Sequence, residues 1–78
     1  MSKTITYKTY IIRSTPLHLL ATGQWKIDAS IAWERAGVLT ERPFGLETAY
    51  QTEQEAALHG ITFGQRIIDG KVPGLSVD

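Results

Sequence analysis

The strongest structural signal in this 78-residue chain is a helical period that runs through residues 51–70. Thr52, followed three residues later by Glu55, forms a capping box, in which side chains satisfy backbone N–H groups at a helix start. Gly70 stands where a left-handed C-cap is expected. The residues between them predict one helix over residues 52–69, because eight apolar residues and glycines fall in one arc wide enough to cover a core. These are Ala56, Ala57, Gly60, Ile61, Phe63, Gly64, Ile67 and Ile68.

Alternation with a period of two predicts strands before this helix. Residues 24–34 alternate most cleanly, with apolar side chains on one face and mostly polar ones on the other, as in a strand with one buried face. Residues 44–50 alternate again and lead directly into the capping box. The segment between them, residues 35–43, contains a glycine and a proline and is expected to connect the two strands, with residues 38–40 able to extend the pairing.

Residues 4–13 are rich in Thr, Ile and Tyr and predict a first strand. Either this strand carries a bulge that switches faces, or both of its faces are partly covered. The reason is that apolar residues occupy both parities: Ile5, Tyr7 and Ile11 on one, Tyr10 and Ile12 on the other. The following segment, residues 14–23, contains a proline and several leucines, and we expect a loop that folds back on the sheet.

These elements predict a single α+β domain over residues 1–78, a three-stranded antiparallel β-meander with one C-terminal helix packed on one face, in the order β-β-β-α. After the helix, Val72, Leu75 and Val77 could dock on the core, although a frayed terminus is the safer expectation. The core itself is expected to contain Trp25, Ile27, Ala29, Ile31, Phe44, Leu46, Ala57, Ile61, Gly64 and Ile68.

The sequence contains few residue types suited to catalysis. It has no cysteine, so neither a disulfide framework nor a thiolate metal site is expected. His18 lies in the irregular 14–23 segment, and His59 follows Glu55 by one helical turn, where an exposed i,i+4 pair explains it. Since no nucleophile–base pair, metal-ligand spacing or phosphate-binding loop is present, we predict no enzymatic activity, no cofactor, and no catalytic or metal-binding residues.

Charge argues against nucleic acid and membranes as partners. The formal net charge is zero, which removes the long-range attraction to phosphate on which most nucleic-acid-binding proteins depend. The four charges that precede Asp28 are nevertheless all basic, so a small regulator that binds DNA through its sheet or its first strand is the alternative function. No apolar run has the length of a signal peptide or a bilayer span, and a cytoplasmic location is expected.

A resemblance to known proteins rests on the aromatic start of the chain and on its end. The chain opens with Tyr7, Tyr10 and Ile12, continues with the alternating strand, and ends in Thr52-x-x-Glu55-Ala56 … Gly64-Gln65-Arg66-Ile67-Ile68-Asp69-Gly70. This order resembles small uncharacterised bacterial β-β-β-α proteins and, more distantly, the hemolysin-activator-type (HlyU-like) domain. The likeness covers most of the chain and implies a regulatory role, but it assigns a function to no individual residue.

The apolar residues that the helix cannot cover predict an interaction surface. One helix covers one face of the sheet, so one apolar set of the first strand is exposed, covered by residues 17–20, or buried in a partner. Leu58 adds a second apolar residue where packing does not require one, on the polar arc of the helix. We therefore predict a protein partner, first of all a second copy in a homodimer, bound through Tyr7, Ile11 and Leu58. The alternative is a monomer whose loop covers the first strand.

Overall fold

The computed structural model describes residues 2–75, which form an α+β fold of five antiparallel strands and one C-terminal helix. The elements are β1 Lys3–Tyr7, β2 Tyr10–Ser14, β3 Leu17–Leu19, β4 Gln24–Arg35, β5 Val38–Tyr50 and α1 Glu53–Ile68. The α+β class with a C-terminal helix is confirmed. The three-stranded meander was too coarse, because the described residues form five strands.

β4 is the central strand of the sheet. β5 pairs with one of its edges, and β2 and β3 share the other edge one after the other, with β1 outside β2. The helix packs on one face, mainly over β4 and β2. That face holds the core, and the opposite face of the sheet has no covering element within residues 2–75.

The prediction of one strand over residues 4–13 is wrong, because this segment is a hairpin. Lys8 and Thr9 have φ angles of 48° and 69°, the left-handed values that a two-residue type I′ turn requires. Tyr7 therefore lies opposite Tyr10 in the closing pair of β1 and β2. No glycine or asparagine marks this turn in the sequence, so residue type did not reveal it.

The hairpin explains why apolar residues occupied both parities of the segment. A two-residue turn shifts the parity between its strands, so that Ile5 of β1 and Ile12 of β2 lie opposite each other on the helix-facing side. Tyr7 and Tyr10 lie on the same side. Of the five apolar residues of this segment, only Ile11 points to the other face of the sheet. The pattern therefore requires neither a bulge nor coverage of both faces.

The expected loop over residues 14–23 contains a strand. Leu17–Leu19 form β3, which pairs with the first residues of β4. The N–H of Thr15 donates to the carbonyl of Asp28 at 2.8 Å and bridges the break between β2 and β3. Because Leu20 is 86 % exposed, the segment extends the sheet at its edge and does not fold over the first strand.

The segment 35–43 is likewise mostly strand. The connection between β4 and β5 consists of Ala36 and Gly37, whose φ angles are 53° and 80°. The predicted extension of pairing over residues 38–40 is confirmed, and it continues to Tyr50 with an irregularity opposite the Lys26–Asp28 stretch of β4. β4 and β5 thus make one long hairpin that runs directly into the helix.

Both ends of the predicted helix are confirmed. The Thr52 side chain accepts a hydrogen bond from the N–H of Glu55 at 3.1 Å, which is one of the two bonds of a capping box. At the other end, Gly70 has φ 72° and its N–H donates to the carbonyl of Ile67, while Lys71 donates to Arg66. These two bonds form a Schellman motif, which satisfies carbonyls that a helix end leaves free.

Six of the ten predicted core residues are buried: Ile27, Ala29, Ile31, Ala57, Ile61 and Gly64. The other four, Trp25, Phe44, Leu46 and Ile68, are half-buried. The pattern missed Ile12, which is fully buried and central to the core, because its strand was misread. Val72 packs against the core after the helix, Leu75 is exposed, and Val77 lies outside the described residues.

The helix approaches the sheet closely at Gly60 and Gly64. A Cβ atom on Gly60 would lie 2.3 Å from Oγ of Ser14, and one on Gly64 would lie 2.8 Å from Cγ2 of Ile12. Only a residue without a side chain fits at these two positions. Within residues 2–75, α1 is neither long nor apolar enough to cross a lipid bilayer.

Candidate interaction surface

Tyr7 lies on the helix-facing side of the sheet and is bound by its own chain. Its hydroxyl donates a 2.8 Å hydrogen bond to Oδ2 of Asp69, the C-cap residue of α1. The Nζ atom of Lys8 lies 2.6 Å from Oδ1 of the same carboxylate. The β1–β2 turn is thereby fastened to the end of the helix, and the ring of Tyr7 packs against the core.

This contact perturbs both charged groups. The hydrogen bond from Lys8, and then that from Tyr7, hold the pKa of Asp69 below its ordinary value of 3.8. The hydrogen bond to Asp69 and the attraction of its charge raise the pKa of Lys8 above 10.5. The two pKa shifts have the same cause, since the carboxylate and the ammonium group each stabilise the charged form of the other residue.

Ile11 lies on the other side of the sheet. It stands in β2 between Thr6 of β1 and Ala32 of β4, and 42 % of it is exposed. Leu58 lies on the outer side of α1 and is 45 % exposed. The structure therefore places the three predicted interaction residues on three different surfaces, so they do not form one site.

The face of the sheet opposite α1, called the open face below, has no covering helix or strand among the described residues. Its side chains come from Thr4, Thr6, Ile11, Arg13, Leu17, Lys26, Asp28, Ser30, Ala32, Glu34, Leu39, Glu41 and Pro43. The Oγ atom of Ser30 lies 3.5 Å from Oε2 of Glu41, which confirms that β4 and β5 present these residues on one side.

Charge on the open face is mixed and more acidic than basic. Arg13 and Lys26 are its cations, and Lys26 lies 3.6 Å from Glu47 at the irregular part of β5. The carboxylates of Asp28, Glu34 and Glu41 accompany them. Three large aliphatic residues lie on this face. Ile11 stands in β2 with a paired strand on each side, Leu17 lies opposite Lys26 in the edge strand β3, and Leu39 lies near the far end of the β4–β5 hairpin.

The two histidines lie on aromatic rings. His18 of β3 stacks on Trp25 of β4 with ring centroids 4.3 Å apart, and His59 of α1 stacks on Tyr50 at 4.5 Å. Among the described residues, no group of three or more His, Cys, Asp or Glu side chains could hold a metal ion. Stacking accounts for the position of both imidazoles.

The concave regions of the surface are shallow or small. One, of about 360 Å³, is an open depression where the irregular part of β5 meets β4, and Lys26, Asp28 and Phe44 line it. A smaller apolar cavity of about 150 Å³ lies under the segment that follows α1, between Ile31, Phe44, Ile67 and Leu75. Neither histidine lines these cavities.

No protein-family model matches this chain, and no curated protein or solved structure matches it either.

Proposed function

We propose that this protein is a non-enzymatic protein-interaction module that binds its partner through the open face of its sheet. The observation that supports this most directly is the one-sided coverage of the sheet. Within residues 2–75, α1 covers one face, and Ile11 is left 42 % exposed in the middle of the other. Protein-binding surfaces have an apolar centre and a polar rim, and Ile11 with the polar and charged groups around it has this arrangement.

The charges of the open face favour a protein as the partner. Its acidic residues outnumber its basic ones, and both signs are present within a few ångströms. Complementary charges on a folded partner would determine orientation and association rate more than affinity. A partner with basic side chains around an apolar pocket for Ile11 fits this arrangement.

The alternative, a regulator that binds DNA, has less support. A sheet that enters a DNA groove needs a basic face, since contacts to phosphate dominate affinity. Lys8, one of the basic residues of the first segment, is held by Asp69, and Arg13 shares the open face with several carboxylates. The regulatory role that the HlyU-like resemblance implies would then be exerted through a protein partner.

A photo-crosslinking experiment tests the proposal. A photoreactive phenylalanine analogue replaces Ile11 on the open face, and in the control protein it replaces Gln54, which is exposed on α1. We expect a discrete covalent adduct in cells from position 11 and none from position 54. A charge reversal at Glu41 (Glu41→Lys), which lies beside Ala32 on the same face, should weaken the adduct because it repels the basic partner. Equal adducts at the two positions, or none at position 11, would contradict the proposal.

A DNA-binding assay tests the alternative separately. We expect no mobility shift of duplex DNA at physiological salt. Sub-micromolar binding that weakens steeply as salt increases would favour the DNA-binding regulator over the protein-interaction module.

A further inference from the structure

The edge strands β5 and β1 differ in how they are protected against pairing with another strand; the third edge strand, β3, has only three residues. β5, at one edge, contains Pro43, the irregularity opposite β4, and the charged residues Glu41, Arg42 and Glu47. Prolines, bulges and charges are the devices by which proteins prevent edge strands from pairing. β1, at the other edge, has none of them between Lys3 and Tyr7: its interior is Thr-Ile-Thr.

The hairpin register determines which backbone groups of β1 are available. A two-residue turn closes on a hydrogen-bonded pair, here Tyr7 with Tyr10, and hydrogen-bonded and non-hydrogen-bonded pairs alternate along antiparallel strands. Ile5 therefore exchanges its backbone hydrogen bonds with β2, whereas the N–H and C=O groups of Thr4 and Thr6 point away from it. These outward groups are the ones that a further strand would pair with.

We propose that two copies of this chain associate by pairing their β1 strands antiparallel around a two-fold axis at Ile5, so that the two sheets become continuous. This inference rests on the proposed function as a protein-interaction module and names one of its partners. Among the symmetric registers, the one centred on Ile5 pairs all five residues of β1. Thr4 of each copy then exchanges backbone hydrogen bonds with Thr6 of the other.

Side chains are complementary in this register. The two Ile5 residues meet at the axis on the helix-facing side, where each is already half-buried beside its own core. Lys3 lies opposite Tyr7 of the other copy, close to the Asp69 carboxylate that this tyrosine binds. On the open face, threonine lies opposite threonine, a favourable cross-strand pair.

The helices leave room for this arrangement. α1 packs mainly over β4 and β2 and less over β1, so most of the helix lies inward of the β1 edge. A two-fold axis perpendicular to the sheet places both helices on the same side and antiparallel. The two open faces then form one surface, which doubles the number of sites for the partner of the open face.

Light scattering and sedimentation across a concentration series test the dimer. We expect a mass that rises from monomer to dimer, and we expect Thr4→Pro and Thr6→Pro to weaken association at least about tenfold, because each removes an outward N–H without touching the bonds to β2. Thr4→Val and Thr6→Val keep the N–H and should associate like wild type. A constant monomer mass, or equal association of the proline and valine variants, would overturn the inference.

Disulfide trapping tests the register and does not depend on the proline variants folding. The sequence has no cysteine, so Ile5→Cys introduces a single thiol. Opposed residues of a non-hydrogen-bonded pair are close enough for a disulfide, so mild oxidation should give covalent dimers from Ile5→Cys. Thr4→Cys should give far fewer covalent dimers, because residue 4 of the other copy lies two residue pairs further along the paired strands. Equal yields would overturn the register.

The crosslinking at position 11 separates the two proposals. If the chain remains monomeric while the open-face adduct persists, the β1 pairing is wrong and the proposed function stands. If dimers form through β1 without any open-face adduct, the pairing stands and the open face is not the partner-binding surface.

Discussion

The hydroxyl of Tyr7 donates a 2.8 Å hydrogen bond to the carboxylate of Asp69, 62 residues later in the chain. With the contact from Lys8 to the same carboxylate, it joins the first turn of the sheet to the last residue of the helix cap. Contacts between residues this far apart in the sequence form only when the tertiary structure brings them together. This contact also means that Tyr7, one of the predicted interaction residues, has a role within the fold.

The Asp69 contact predicts a pH-dependent stability difference. Because the pKa of Asp69 is lowered on folding, its charged form stabilises the native state above pH about 4, and this contribution is lost as pH falls through the folded-state pKa. We expect Asp69→Asn to melt at a lower temperature than wild type near pH 7. Thermal melts monitored by circular dichroism should show this gap closing below pH about 4.

The Lys8 side of the contact determines where its contribution to stability is lost at alkaline pH. Its raised pKa means that its contribution is complete below pH 10.5 and is lost as pH rises through the folded-state value. Tyr7→Phe is the matched control, since it removes the hydrogen bond but leaves the Lys8–Asp69 charges in place. A gap between Asp69→Asn and wild type that stays constant from pH 2 to 7 would contradict the assignment.

Ile11 and Ile12 are adjacent residues with opposite environments. Ile12 is fully buried under α1, whereas Ile11 is 42 % exposed on the open face. We expect Ile12→Ala to lower the free energy of unfolding by about 2–5 kcal/mol, because it leaves a cavity in the core. Ile11→Ala should cost less than about 1 kcal/mol in urea denaturation. Similar losses for both would mean that the two faces of β2 are misassigned.

The close approach of Gly60 to Ser14 predicts strong coupling between these residues. Oγ of Ser14 is buried and has no hydrogen-bond partner among the described residues, and a Cβ on Gly60 would lie 2.3 Å from it. We expect Gly60→Ala to destabilise the fold by about 1–3 kcal/mol through overpacking. Ser14→Ala alone should stabilise it by about 1 kcal/mol, because it removes an unsatisfied polar group.

A double-mutant cycle measures this coupling. Ser14→Ala removes the atom that clashes, so in the Gly60→Ala background it should recover most of the loss, with a coupling of at least about 1 kcal/mol. Thr62→Ala, on the exposed side of α1, is the control and should couple with neither change. Strictly additive effects of the two substitutions would contradict the close contact.

Thr9 has a φ of 69°, an unfavourable conformation for a β-branched residue. Thr9→Gly removes this strain of roughly 1–2 kcal/mol but adds freedom to the unfolded chain, so we expect a net stabilisation of about 0.5–1 kcal/mol. Thr40→Gly, in the extended backbone of β5, should instead destabilise. A loss of stability for Thr9→Gly in chemical denaturation would contradict the type I′ turn.

Features that depend on nearby residues were predictable from the sequence. The helix follows from the spacing of its apolar residues and from Thr52, Glu55 and Gly70 at its ends, and each of these signals acts within one or two turns. β4 follows from alternation over eleven consecutive residues, 24–34. In these segments the local preference and the final environment agree, so the pattern alone was sufficient.

Features that depend on distant residues were decided by the tertiary structure. The turn at Lys8 and Thr9 has no turn-forming residue type; it is formed because Tyr7, Tyr10 and Ile12 gain burial against the helix and because Lys8 reaches Asp69. β3 forms because β4 extends beyond β2, and the exposed backbone groups at its edge are satisfied by pairing with residues 17–19.

The candidate surface shows the same division. Sequence alone indicated that one helix cannot cover every apolar residue of the first segment, without deciding which ones, and that Leu58 lies on the polar arc of the helix. In the structure Ile11 and Leu58 are exposed. Only the tertiary structure decided that Tyr7, Ile11 and Leu58 face three directions, because a two-residue turn reverses the parity of the first segment. A period of two records which residues share a face within one strand, but the relation between strands depends on where the chain turns.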